Sequence, residues 1–282
     1  MNPLLPGSAL HGDRAAHGTD ISAASTITLA HRGARVGIQA EDPGMLQRVA
    51  LLLPAQWQRE VDAYDALYTL GVGDGEHRIW VDGELLLQTP DAELLVDRLL
   101  SDVHHRIAIA ATDGLFVHAG VVAWRGRAIV LPGRTHSGKS TLVAALLRRG
   151  ATYFSDEYAV FDGAGLVHPY PKLLALREGG SARRLCTPES LGSDVGTRAV
   201  RPAVVALLTY DENVTWELRE ITAGLAVLLL LDNTIHARER SGEALQTLSS
   251  ALDGAITVAG RRGEAATAAD CLLAMCEESR IS

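Results

Sequence analysis

Apolar and polar residues alternate over short stretches near the N-terminus, and this pattern predicts β-structure. Residues 25–42 alternate loosely and suit a hairpin or two short strands. Residues 78–87 are predicted to form a second hairpin, because the dipeptide Asp82-Gly83 is a favoured two-residue turn. Between the two, residues 44–53 are apolar with helical character, so strands and a helix are mixed from the start.

Leucines at helical spacing predict a long helix after the second hairpin. Thr89 is placed to cap this helix and Pro90 suits its first turn. The helix is expected to run through His104-His105, which we interpret as a helix surface because no further metal-ligating cluster accompanies the pair. Residues 25–110 are thus predicted to form an α+β region, and residues 1–24 a flexible tail. The apolar positions at helical spacing are Leu94, Leu95, Leu99, Leu100 and Val103.

Strands and helices alternate irregularly after residue 110. Residues 115–131 are predicted as strand, turn and strand, and residues 178–197 as an exposed polar loop. The irregular order, with several hairpins, argues against a purely parallel doubly wound sheet and predicts an α/β fold with a mixed sheet. Further strands are predicted at residues 151–162, 203–210, 215–221 and 256–258, and further helices at residues 140–149, 222–231, 242–252 and 265–278.

Residues 133–141 read Gly-Arg-Thr-His-Ser-Gly-Lys-Ser-Thr, which is the phosphate-binding P-loop pattern. Its glycines allow successive N–H groups to point into one anion-sized cup, Lys139 can reach the outer phosphates, and Ser140 can bind Mg²⁺. A strand precedes the motif and a helix ended by Gly150 follows it, as the motif requires. The alternative is a glycine-rich turn with a surface lysine. The predicted nucleotide contacts are Gly133, Thr135, Ser137, Gly138, Lys139, Ser140 and Thr141.

Composition excludes several classes of protein. The chain has 282 residues, 47% of them hydrophobic and 21% charged, and this is ordinary for a globular protein. The net charge of −8 argues against a nucleic-acid binder. No apolar stretch reaches membrane-spanning length, so no membrane partner is expected. Cys186, Cys271 and Cys276 cannot all pair and contain no CxxC spacing, which indicates a reducing, cytoplasmic location.

Two adjacent acids, Asp156 and Glu157, lie on the strand predicted after the P-loop helix. Neighbouring residues of a strand point to opposite faces, so both acids can face a nucleotide only if the strand ends or bulges there. We therefore expect a break at this point. The alternative is that one acid is a solvated strand residue. His118, among apolar neighbours, is either a hydrogen-bonded core histidine or a functional group.

The order of these features resembles that in the C-terminal domain of HPr serine kinase/phosphorylase and its looser relatives. The matching features are His118 on the strand before the motif, the P-loop itself, a helix ending in Arg149-Gly150, and the acids in residues 154–157. The resemblance covers residues 115–177 well. It implies a P-loop kinase core of the HPr kinase / PEP carboxykinase-like type over residues 111–282, with an N-terminal α+β extension.

This resemblance implies chemistry as well as a fold. It implies ATP and Mg²⁺, with Ser140 and Asp156 holding the metal and Lys139 on the phosphates. One of Asp156 and Glu157 would be the general base, with His118 nearby. Glu157 stands where the well-known members have a second aspartate, so which acid is the base stays open. The implied partner is a small protein or peptide with a serine-type hydroxyl, and family members often form homo-oligomers.

Residues 167–172 resemble relatives often encoded beside peptide natural-product genes, so a ribosomal peptide precursor is a candidate substrate. The bifunctional members have a basic loop whose nearest candidate here is residues 238–242, and their N-terminal regulatory domain has no recognisable counterpart. Lys172 and Arg177 are either exposed basic residues or contacts for a phosphate or an acidic peptide. Two alternatives remain, a kinase of a free hydroxyl-bearing metabolite and a non-catalytic nucleotide-binding regulatory module.

Overall fold

The computed structural model describes residues 26–58, 61, 63–133, 137–177 and 183–279. The tail predicted for residues 1–24 lies outside them. Within the described residues the chain forms an α/β fold with mixed sheets, as the sequence predicted. The same residues contain no helix that is both long and apolar enough to cross a membrane.

The first sheet has five strands in the described part of the chain, and they lie in sequence order. The second and third strands pair in parallel, and the other neighbours are antiparallel. Both predicted hairpins are present, and Asp82 and Gly83 form the turn of the second with φ of 52° and 88°. The third strand was not predicted from the sequence. The strands are β1 (Thr26–His31), β2 (Ala34–Ala40), β3 (Ala66–Gly73), β4 (Glu76–Val81) and β5 (Glu84–Thr89).

Two α-helices accompany this sheet, α1 (Pro43–Leu52) and α2 (Ala92–Ala110). The predicted cap of α2 is wrong. Thr89 ends β5, and its hydroxyl accepts the N–H of Asp91 at 3.1 Å. The carboxylate of Asp91 is the cap, because it reaches the free N–H groups of the first helical turn.

The second sheet contains eight strands among the described residues, in the order β10-β9-β6-β7-β13-β15-β14, with β8 beside β9 on the same edge of β6. β7, β13 and β15 are parallel neighbours, so their carboxyl ends lie at one edge. β11 and β12 form a separate hairpin. The strands are β6 (Leu115–Trp124), β7 (Arg127–Pro132), β8 (Thr152–Ser155), β9 (Tyr158–Phe161), β10 (Val167–His168), β11 (Leu174–Arg177), β12 (Arg183–Cys186), β13 (Pro202–Tyr210), β14 (Trp216–Glu220) and β15 (Ile256–Arg262).

β12 corrects part of the exposed loop predicted for residues 178–197. Residues 178–182 lie outside the described residues, but the four that follow pair with β11. Cys186 stands opposite Leu174 in this pairing and both are buried. β12 is stabilised by pairing with β11 rather than by an alternating pattern of its own. The polar composition of the segment therefore did not indicate a strand.

Helices cover both faces of the second sheet. α3 (Lys139–Leu147) packs against α6 (Ala265–Glu278) on one face, and α4 (Ala223–Leu231) packs against α5 (Ser241–Leu252) on the other. Thr222 caps α4, since its hydroxyl accepts the N–H of Leu225. The sheet is thus enclosed between two helical layers, and its strand ends form the exposed edge.

Five aromatic rings lie in a line between the N-terminal region and the second sheet: Trp57, His104, Tyr170, Tyr158 and His118. Consecutive ring centroids lie 5.4, 5.5, 5.6 and 4.5 Å apart. His104 Nδ1 lies 2.9 Å from the Tyr170 hydroxyl, and burial lowers the pKa of His104 to about 3. The helix surface predicted for His104-His105 is therefore wrong for His104, which is buried against Trp57 and Tyr170, whereas His105 is exposed.

Candidate functional site

The two acids lie in a break between β8 and β9, which we call the acid turn. β6 runs unbroken beside both strands, pairing with β9 through residues 115–118 and with β8 through residues 121–123. Ser155 causes the break, because its hydroxyl oxygen accepts the N–H groups of Glu157 at 3.1 Å and Tyr158 at 3.0 Å. The interruption predicted from the adjacent acids is confirmed.

The acid turn faces the described end of the P-loop pattern, residues 137–141, which together with Gly133 we call the glycine-rich loop. The loop begins where the N–H of Gly133 donates to the carbonyl of His118 at 3.2 Å. Gly138, whose φ of 80° favours glycine, is the N-cap of α3, so residues 139–141 of the loop form the first turn of that helix. Lys139 lies over the loop, with Nζ donating to the Gly133 carbonyl at 2.6 Å. Thr135, a predicted nucleotide contact, lies outside the described residues together with its two neighbours.

Asp156 is the buried member of the acid pair, with 6% of its surface exposed. Its carboxylate is hydrogen-bonded to Ser140, and its other oxygen, Oδ1, is buried without a hydrogen-bond partner. Burial raises the pKa of Asp156 to about 6, although Lys172 and Ser140 oppose the shift. A buried carboxylate oxygen without a donor is costly, and a cation beside it would remove that cost.

The donor set around Asp156 fits Mg²⁺. Magnesium is usually held by one or two carboxylates, phosphate oxygens and water rather than by a cage of side chains. Ser140, at the start of α3, and Asp156, in the acid turn, bring a hydroxyl and a carboxylate together. Among the described residues no group of three His, Cys, Asp or Glu side chains is placed to hold a metal, and a site of this kind does not require one.

Glu157 is paired with a cation, unlike its neighbour. Its Oε2 forms an ion pair with Lys172 Nζ, and its Oε1 lies 3.8 Å from His118 Nδ1. Burial alone would raise the pKa of Glu157, but the charge and hydrogen bond of Lys172 outweigh it and the pKa is lowered. Burial lowers the pKa of His118, so the imidazole is neutral at pH 7. Neither acid is a solvated strand residue.

A cleft of about 290 Å³ unites these groups. The glycine-rich loop, the acid turn, His118 and Lys172 form one side of it. The other side comes from the N-terminal region and the β11–β12 hairpin, which the sequence did not connect with the site. These residues are Leu52, Asp97, Leu100, Ser101, His104, Leu173, Ala175 and Leu185.

Lys172 is a site residue that the sequence left between two interpretations. The chain contains two lysines, Lys139 and Lys172, and both line the cleft. The scarcity of lysine could have indicated Lys172 as a site residue. Most cations of the chain are arginines, and lysine differs from arginine in carrying a compact ammonium group. By contrast, Arg240 of the candidate basic loop is paired with Glu243 on α5 and donates to the Gly114 carbonyl at 3.3 Å.

Comparison with known proteins does not assign this site. The chain matches no family model, and no curated protein matches it at a significant level. What the protein does is therefore inferred from its own residues.

Proposed function

We propose that the protein is a kinase that transfers the terminal phosphoryl group of ATP, in the presence of Mg²⁺, to a serine-type hydroxyl of a small protein or peptide. The observation that carries the proposal is the position of Asp156, buried, bonded to Ser140 and retaining an oxygen without a partner. A core of the HPr kinase / PEP carboxykinase-like type is part of the same proposal, supported by the order of His118, the glycine-rich loop and the acid turn.

The phosphate end of the nucleotide would bind at the glycine-rich loop. The N-terminus of α3 carries a partial positive charge, and Lys139 adds a full one. Burial lowers the pKa of Lys139, and Asp156 opposes this shift. Bound phosphates would favour the charged ammonium further, so the lysine side chain would turn from the Gly133 carbonyl towards them.

Ser140 and Asp156 would hold Mg²⁺. When bound, the ion neutralises charge on the phosphate oxygens of the transferred group. Because the Asp156 carboxylate is already hydrogen-bonded to Ser140, we assign it to the metal rather than to proton transfer. This assignment also gives the unpartnered Oδ1 a role.

Glu157 would act as the general base. It would accept the proton of the acceptor hydroxyl while that oxygen bonds to the terminal phosphorus and the bond from phosphorus to the departing ADP breaks. Lys172 keeps Glu157 ionised and ready to accept a proton. His118 lies 3.8 Å from the other oxygen of this carboxylate and is hydrogen-bonded to the backbone of Glu157, so we assign it to positioning the acid turn.

The acceptor would enter between α2 and the acid turn. Leu100 and Ser101 on α2 line the same cleft as the acids, and Leu185 of β12 also lines it with 42% of its surface exposed. Leu51, next to the lining residue Leu52, is 79% exposed. Exposed leucines beside a polar cleft suit the apolar side chains that flank a serine in a polypeptide, and this favours a peptide or protein over a free metabolite.

A transfer assay tests the proposal. The protein is incubated with γ-labelled ATP, Mg²⁺ and three kinds of acceptor: serine-containing peptides flanked by apolar residues, the same peptides with alanine for serine, and free hydroxyl-bearing metabolites. We expect label on the serine peptides alone, with the Asp156→Asn variant inactive. Label on metabolites alone would replace the proposal by metabolite phosphorylation. Binding of ATP without transfer to any acceptor would replace it by a non-catalytic nucleotide-binding role.

A further inference from the structure

An exposed aromatic ring and a buried arginine lie beside the glycine-rich loop on the side away from the acid turn. Tyr210 ends β13 and Arg262 ends β15, and the two residues are direct partners in the parallel pairing of these strands. The guanidinium carbon of Arg262 lies 5.2 Å from the centroid of the Tyr210 ring. Tyr210 is 48% exposed, whereas Arg262 is 4% exposed. A large aromatic side chain is thus held in place by a cation but left open to solvent.

Arg262 connects this ring to the glycine-rich loop. It donates one hydrogen bond to the Gly138 carbonyl and another to the Gly263 carbonyl, both at 2.9 Å. A Cβ atom at Gly138 would lie 2.5 Å from Arg262 Nη2, so the end of the loop is packed against the guanidinium. Tyr210 therefore lies one side chain away from the end of the loop.

The sheet order shows on which side of the glycine-rich loop the Tyr210 ring lies relative to the acid turn. The acid turn lies beyond β6 on one side of β7, and β13 and β15 follow on the other side. Neighbouring strands are about 4.8 Å apart, so β15 is roughly 10 Å across the sheet from β7. A nucleotide whose terminal phosphate points to the acid turn has its ribose and base on the opposite side of the loop. That side carries Tyr210.

We propose that Tyr210, held by Arg262, is the platform on which the nucleotide base stacks. This inference rests on the proposed function, because it takes the orientation of the nucleotide from the acid turn. Every base has an aromatic face, and stacking on a tyrosine ring requires no hydrogen-bond readout of the base edge. The platform therefore supplies affinity for a nucleoside and adds nothing to the binding of phosphate groups alone.

Binding of two ligands by calorimetry tests the platform: ATP with Mg²⁺, and inorganic tripolyphosphate with Mg²⁺, which has no base. We expect Tyr210→Ala to weaken ATP binding about tenfold and to leave tripolyphosphate binding within about twofold of the wild type. Tyr210→Phe, which keeps the ring and loses the hydroxyl, is expected to bind both ligands as the wild type does. Tyr210→Leu, which keeps apolar cover over Arg262, should lose ATP affinity as alanine does.

Other outcomes overturn the inference in distinguishable ways. Unchanged ATP affinity in Tyr210→Ala, or an equal loss for ATP and tripolyphosphate, would show that the ring does not contact the base, while leaving the proposed function standing. Failure of the wild type to bind either ligand would remove the proposed function and the platform together. Thermal unfolding of each variant shows whether a loss of affinity reflects a loss of folded protein, and the leucine variant then decides the question.

Discussion

The acid turn and the carboxyl ends of β13 and β15 flank the same glycine-rich loop. Each region contains a buried charged side chain, and the two differ in whether that side chain is fully hydrogen-bonded. Asp156 is buried with one oxygen unpartnered, and its pKa is raised by that burial to about 6. Arg262 is also buried, but its guanidinium donates to the carbonyls of Gly138 and Gly263. The unsatisfied charge is suited to bind a cation, whereas the satisfied charge fixes the shape of the loop.

The first way to break this comparison is to remove the charge of Asp156. We expect Asp156→Asn to lower turnover about 1000-fold and to change ATP affinity less than about threefold, because the carboxylate is proposed to hold the metal at the transferred group and not to contact the rest of the nucleotide. Single-turnover phosphoryl transfer and calorimetry measure the two effects. Asp162→Asn is the matched control, since Asp162 pairs with His168 and does not line the cleft. A variant retaining a tenth of wild-type turnover would contradict the assignment.

The second change tests the loop between the two flanks. Lys139→Ala is expected to weaken ATP binding about 100-fold, because a charge-assisted contact to phosphate is lost. Lys172→Ala, which removes the other lysine, should weaken ATP binding much less, since Lys172 is paired with Glu157. Calorimetry compares the two variants. Equal ATP binding by the wild type and Lys139→Ala would place the phosphates elsewhere.

The third test asks how the buried charge of Asp156 affects the free energy of unfolding. The pKa of Asp156 is higher in the folded protein than in the unfolded chain, so its ionised form opposes folding. We expect Asp156→Asn to raise the free energy of unfolding by about 2–3 kcal/mol above pH 6, with the gain shrinking as the pH falls towards 4 and absent below it. Urea unfolding at pH 7.5 and pH 4 measures this difference. A gain of equal size at both pH values would exclude the proposed cause.

The smallest expected effect concerns the shape of the acid turn. Ser155→Ala leaves the buried N–H groups of Glu157 and Tyr158 without their side-chain acceptor. We expect a loss of about 1–2 kcal/mol in the free energy of unfolding, measured in urea. Ser249→Ala, at an exposed position of α5, is the control and should be neutral. No loss in Ser155→Ala would mean that the strand break does not depend on this hydroxyl.

Patterns among residues close together in the sequence predicted much of the second sheet and the position of the acid turn. Alternation of side chains along a strand was enough to require a break at Asp156 and Glu157, and the break is present. Helices α4 and α6 begin within one residue of the predicted starts, residues 222 and 265. These features depend on residues close together in sequence, so the sequence alone contains the relevant information.

Features that depend on distant partners were missed. The burial of His104 comes from Tyr170, 66 residues later in the chain, and no helical pattern reveals such a contact. The last strand was expected to end at residue 258, but β15 continues to Arg262 because β13 and β14 pair along its length. The α2 side of the cleft was missed for the same reason. It exists only after two sheets have packed together.

The placement of both lysines in the cleft has a practical consequence for handling the protein. Reagents that acylate amines meet the two ε-amino groups of Lys139 and Lys172 and the α-amino group at the N-terminus. Fluorescent tagging, surface immobilisation or cross-linking through amines would therefore modify two side chains that line the cleft. Attachment through a cysteine or an affinity tag leaves those groups intact, and protection of the lysines by added ATP would report occupancy of the proposed site.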